Sequence, residues 1–247
     1  MKPRNLLVLA LAALLTMTIG CEKPAEEGDQ AEAVEAEGGQ DEAAEAEGEE
    51  ESEEEGAAQA ADEKSADEEK EPAKATVGEP APDFELVDEA GESHKLSDYE
   101  GKTVVLEWFN PGCPYVVRHH EEDKTMSSSR EAVGEDVVWL AVDSTRADEK
   151  KDSKEYKEKW EIDYPVLQDA DGEVGKLYTA KTTPHMYVID KDGTLRYSGA
   201  IDDDPRGKKE IDERTNHLTE AVNAVQEDEE VAQKETKPYG CSVKYDS

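Results

Sequence analysis

Positive charge is scarce in this chain. Lys and Arg total 28 against 64 Asp and Glu, a formal net charge of −36. A surface this acidic repels phosphate, which argues against nucleic acid as a partner. Apolar residues are also few: 35% hydrophobic against 37% charged, too polar for one compact domain of 247 residues. The apolar run from Leu6 to Leu15 is too short to cross a bilayer comfortably. Cysteine is limited to three positions, Cys21, Cys113 and Cys241, so each thiol needs an account of its own.

What is there is unevenly distributed. Residues 22–75 hold about 23 acidic and 4 basic side chains, with almost no branched aliphatic or aromatic residue. Such a stretch buries too little apolar surface to offset its ordering entropy. We expect a disordered acidic tether over 21–75. Residues 76–247 supply enough chain for one domain with a sizeable core. The N-terminus, with Lys2 and Arg4 before the apolar run and Gly20 before Cys21, has the order of a bacterial lipoprotein signal. The expectation is a signal peptide over 1–20, lipid on Cys21, and a place in the cell envelope facing the periplasm. Glu22 in place of the Asp that commonly retains lipoproteins at the inner membrane favours the outer one. If Cys21 carries lipid, two thiols remain in a compartment where disulfides persist, which suggests a pair.

The folded part reads as alternating elements. "FELVD" and "SHKLS" are short strands around "EAGE", and "TVVLEWF" is an apolar run expected of a strand buried on both faces. Pro111-Gly112 ends it, and a helix should open at Cys113 or Pro114, where proline fits the first helical position. "DVVWLAVDS" is a second buried strand. The segment 147–162 reads as a charged surface helix with Tyr156 and Trp160 on one face. "DADGEVGKLYTA" is a turn and short helix, and its acidic turn lacks the glutamate that a calcium loop requires. "HMYVIDKDGTLRYSGAI" is a hairpin over Lys191-Asp192-Gly193. Residues 208–226 should form a closing amphipathic helix with Ile211, Leu218 and Val222 on its apolar face. The order implies an α/β sandwich with a central mixed sheet.

The motifs "NPGCPYV", "TTPHMYVIDKDGTLRYSGAIDD" and "KPYGCSVKY", with the lead-in "PAPDFELVDEAGESHKLSDYEGKTVVLEWF", resemble the thioredoxin-fold redoxins of the alkyl hydroperoxide reductase/thiol-specific antioxidant type. More closely, they resemble a bacterial group of peroxiredoxin-like lipoproteins. The resemblance covers about 76–245. It implies a thioredoxin-like domain over 76–230 and a C-terminal tail over 231–247 carrying Cys241. Cys113 stands where such proteins keep their nucleophile. Val116 and Asn110 stand where relatives keep a second local cysteine, so Cys241 is the candidate resolving thiol. Thr183-Pro184 matches the family's cis-proline, which exposes a backbone edge to a substrate strand, and His185 follows it.

Attack on a peroxide or disulfide needs a thiolate. A helix N-terminus at Cys113 would stabilise one, with Arg118 as the nearest cation in sequence and His119, His120 and His185 as further sources of positive charge. Trp108 and Pro114 complete the expected support. The reading is a tethered thiol oxidoreductase acting on peroxide or protein disulfides, recycled by an external thioredoxin-like reductant and needing no cofactor or metal. A copper site would want two neighbouring cysteines. The competing reading is a binding scaffold in which Cys113 and Cys241 form a permanent staple closing more than 120 residues, worth roughly 4–5 kcal/mol.

Overall fold

A computed structural model describes residues 73–245. The proposed signal peptide, Cys21 and nearly all of the acidic tether lie outside the described residues. Among the described residues, no helix is long and apolar enough to cross a membrane.

The scaffold is a seven-stranded mixed sheet. In chain order its strands are β1 (Glu85–Val87), β2 (Ser93–Lys95), β3 (Val104–Trp108), β4 (Val138–Asp143), β5 (Val166–Gln168), β7 (Met186–Ile189) and β8 (Leu195–Gly199). Their spatial order is β2-β1-β5-β4-β3-β7-β8. The centre, β3-β4-β5, is parallel, and β7 joins β3 antiparallel. A second, two-stranded sheet joins β6 (Thr182–Thr183) to β9 (Cys241–Ser242).

The strand expectations hold because their sequences alternate between two buried faces. Val104, Leu106 and Trp108 enter one core, with Leu140, Tyr178 and Tyr187. Val105 and Phe109 enter the other, with Cys113, Val116, Met126 and Leu218. β3 is buried at all five positions, the charged Glu107 included, as expected of a strand covered on both faces.

The helices are shorter than their patterns suggested. α1 (Pro114–Val117) runs into a π-helical turn over Arg118–Glu122, and α2 (Thr125–Val133) follows. α3 occupies only Ser153–Lys159, because Asp152 caps it by accepting the Lys154 N–H at 3.0 Å. Tyr156 and Trp160 do meet, with ring centroids 5.0 Å apart. α4 (Glu173–Leu177) is the short helix expected after the acidic turn. There buried Asp169 accepts the Val174 and Gly175 N–H groups. The closing helix α5 begins at His217, not near residue 208. Asn216 caps it by accepting the Thr219 N–H at 2.9 Å. Ile211 therefore lies outside the helix in a 3-10 turn and is 64% exposed, contrary to its expected place beside Leu218 and Val222.

Candidate active site around Cys113 and Cys241

The turn after β3 is built by Asn110. Its side-chain oxygen accepts the Gly112 N–H at 2.7 Å, and its carbonyl accepts the Cys113 N–H at 3.0 Å. This Asx turn delivers Cys113 as the N-cap of α1, with Pro114 at the first helical position. The residue that replaces a possible local thiol thus shapes the loop that carries the remaining one.

Cys113 is 2% exposed, and its Sγ donates to the Thr183 carbonyl at 3.0 Å. The Thr183-Pro184 bond is cis. The edge just before it is not open. β9 pairs antiparallel with β6, setting Cys241 opposite Thr183 and Ser242 opposite Thr182. Cys241 therefore lies beside Cys113, and both thiols are free. Burial, then the hydrogen bond and charge of the neighbouring Cys113 sulfur, push the Cys241 thiol up to about 12. It is a protonated partner at neutral pH. Both cysteines line a recess of about 360 Å³ with Asn110, Asp148, Glu149, Lys150, Lys151 and Lys244.

The tail is held on either side of Cys241. The Tyr239 hydroxyl donates to Asp202 and meets His119 Nε2 at 3.1 Å. Its ring centroid lies 6.0 Å from that of Tyr115. The Tyr245 hydroxyl donates to the Ala180 carbonyl at 2.8 Å. Val243 N–H reaches the Lys181 carbonyl, and Arg146 N–H reaches that of Lys244. Gly240, at φ +147°, lies so close to the Thr183 carbonyl that a Cβ would overlap it. Upstream, Thr236 accepts the Ala200 N–H at 2.8 Å through its hydroxyl.

Several expected supports lie elsewhere. Arg118 donates to the Asp204 carbonyl at 3.1 Å, lies 3.1 Å from His119 Nε2 and sits over the Tyr115 and Tyr239 rings. Its polar contacts go to the tail anchor and its surroundings, not to Cys113. His185 projects to the opposite face of the sheet. Its Nδ1 meets the Tyr187 hydroxyl at 2.9 Å and its Nε2 meets Ser198 Oγ at 3.2 Å. Burial holds it down to about 3, so it is neutral and supplies no charge to the thiol. His119 is likewise held to about 3, by burial first and Arg118 second. His120 is a buried packing residue. Its Nε2 lies 2.8 Å from Glu107 Oε1, inside the core behind Cys113. Trp108 also faces away, donating to Ser144 Oγ at 3.0 Å among Tyr178 and Tyr187. Phe109, one residue on, shares a core with Cys113 instead.

Sequence reasoning missed Tyr239, Gly240, Tyr245, Asp202 and Lys244. The only signal was the spacing of two tyrosines around a Gly-Cys pair. Far from the thiols, Asp88, Glu92 and His94 bring one donor atom each within 4.8 Å. Asp88 is already engaged by the Ala90 and Glu92 N–H groups, and His94 Nδ1 by Tyr99.

Comparison with known proteins agrees with this architecture. Residues 77–198 match the AhpC/TSA family. The thiol-disulfide oxidoreductase ResA of Bacillus thuringiensis subsp. konkukian is 28% identical over 105 residues, 42% of this chain and 58% of that protein. The chain thus spans under two thirds of the curated relatives it matches. A hypothetical protein of Sinorhizobium meliloti 1021 superposes with a TM-score of 0.62 at 25% identity, over 71% of this chain and 98% of that one. An uncharacterized conserved protein of Geobacillus kaustophilus gives 0.60 at 28% identity, over 69% and 93%. Strand order, the cysteine at the start of α1, the cis-proline opposite it and the matched segment agree: residues 77–198 carry the match to the AhpC/TSA family and form the centre of a thioredoxin-like domain.

Proposed function

We propose that the protein is a thiol oxidoreductase in which Cys113 is the nucleophile and Cys241 the resolving thiol. The observation that carries the reading is the register of β9: Cys241 stands opposite Thr183, whose carbonyl accepts the Cys113 thiol. With a hydroperoxide, the Cys113 thiolate attacks the O–O bond, becomes a sulfenic acid and releases an alkoxide, which takes a proton from solvent. The Cys241 thiol then attacks the Cys113 sulfur. An S–S bond forms, and water leaves with the thiol proton. With a disulfide, Cys113 displaces one thiolate, and Cys241 displaces the second from the mixed disulfide. An external thioredoxin-like dithiol reopens the pair and leaves oxidised itself. The high pKa of Cys241 keeps its proton in place until the second step.

A permanent staple explains the arrangement less well. The tail is already fixed by Tyr239, Tyr245 and Thr236 without any S–S bond, so a covalent link has little left to secure. The reading includes export and attachment to the envelope through lipid on Cys21, with the acidic segment as spacer.

The test is redox titration of the full chain in a dithiothreitol series, with both thiols tracked by alkylation. A working pair opens at a potential well above about −300 mV, and Cys241→Ser then leaves Cys113 as a trappable sulfenic acid or mixed disulfide. A bond still closed below that potential overturns the redox reading in favour of the staple.

A further inference from the structure

The strand edge before Pro184 is occupied by the protein's own tail, and this bears on which oxidants reach Cys113. β9 takes up the backbone of Thr182 and Thr183, the positions where an incoming extended chain would pair. Gly240 fills the space against the Thr183 carbonyl. Tyr239 and Tyr245 fasten the segment on both sides, one to Asp202 and His119, the other to the Ala180 carbonyl. The Tyr245 ring lies over Gly172 and Gly175, where a Cβ would come within 2.6 Å. Beside the two cysteines lies the recess of about 360 Å³, bordered by Asp148, Glu149, Lys150, Lys151 and Lys244. A recess of that volume takes a small molecule, whereas an extended peptide strand finds the β6 edge already paired with β9.

We propose that residues 237–245 act as a seated strap that makes Cys113 selective for small oxidants, with Tyr239 and Tyr245 as specificity-determining pins. The proposal rests on the reading of Cys113 as a working nucleophile and narrows its substrate class to hydroperoxides and low-mass disulfides. A disulfide carried in a polypeptide reaches Cys113 only after the strap has left β6. The reductant is under no such constraint, because it meets the closed pair at Cys241, which is partly exposed.

The experiment uses the full reduced chain and two probes with one leaving group. One is cysteine capped as its thionitrobenzoate mixed disulfide. The other is a short extended peptide whose single cysteine carries the same cap. Attack by Cys113 forms a protein mixed disulfide and releases the coloured thionitrobenzoate thiolate. The measured quantity is the ratio of peptide rate to amino-acid rate. In the wild type the expected ratio is below about one tenth; in Tyr239→Ala/Tyr245→Ala it rises at least about tenfold. Gly240→Ala is the second variant, because it unseats the strap without touching a side chain of the anchoring network. It is expected to move the ratio the same way. A wild-type ratio equal to that of the variants overturns the strap. Indifference to both probes in every form overturns the nucleophile reading itself, a failure distinct from lost selectivity.

Discussion

The pair behind the active loop offers a sharp test of how the core supports Cys113. Glu107 is fully buried, on the same face of β3 as Phe109 and in the same core as Cys113. Its carboxylate receives two donors, His120 Nε2 at 2.8 Å and the Tyr164 hydroxyl at 2.9 Å. The His120 ring also stacks on Trp160 at 5.1 Å and meets Phe109 edge-on at 5.6 Å. His120→Phe keeps that aromatic packing and removes only the polar partner. Taking one partner from a buried carboxylate costs about 3–5 kcal/mol. The remaining Tyr164 bond places the expected loss near the lower end, about 3 kcal/mol. For a folded part of this size that corresponds to a fall in Tm of about 6–12 °C. Urea unfolding measures the loss directly. Adding Glu107→Leu removes the stranded carboxylate and should return part of the stability, leaving only the Tyr164 hydroxyl without a partner. A His120→Phe loss below about 1 kcal/mol, or a double variant no more stable than the single one, refutes the reasoning.

Two further outcomes follow from the geometry. Gly175→Ala puts a methyl group 2.6 Å from the Tyr245 ring and 2.7 Å from Ser144 Oγ; overpacking there should cost about 1–3 kcal/mol in urea unfolding, and an unchanged midpoint would show that the ring gives way freely. His119 and His185 are each held at about 3 when folded, against an ordinary value near 6.5. Below about pH 6.5 the unfolded chain binds protons that the folded chain refuses, so their stabilisation is whole above that pH and declines toward pH 3. The limiting slope is about 1.4 kcal/mol per pH unit for each histidine. Urea midpoints for wild type and His119→Gln/His185→Gln should diverge in slope between about pH 7 and pH 5; parallel curves would sink the assignment.

The sheet was legible because its signals are local. β3 and β4 are mostly apolar runs, each with one buried acid, and the β7–β8 hairpin has its turn written as Lys-Asp-Gly. The start of α1 was legible for the same reason, since Pro-Gly and then Pro114 admit few other conformations. Helix lengths were not, because the competing caps Asp152 and Asn216 sit inside stretches whose charge pattern continues past them. β5 was missed because three residues, Val166 to Gln168, make too short a run to stand out from its flanks. The supports were misread for a different reason. Trp108 and His185 are adjacent in sequence to site residues, but alternation along a strand sends neighbours to opposite faces. Trp108 and His185 thus share the Tyr187 side while Phe109 and Cys113 share the other.

The tail is where sequence and structure part most usefully. A distant cysteine at position 241 suggests a resolving thiol swung in on a loose end. Here it is a strand residue, fixed in register opposite Thr183 between two tyrosine anchors. Under the proposed function, that changes what limits the second chemical step. A swinging thiol closes at a rate set by chain diffusion and length, whereas a seated one closes at a rate set by its own deprotonation and the few ångströms of approach. The high pKa of Cys241 then becomes the governing term, and Lys244, which lowers it, becomes the group able to tune it. Closure should therefore quicken with rising pH even after Cys113 is fully oxidised, which a diffusion-limited tail would not do.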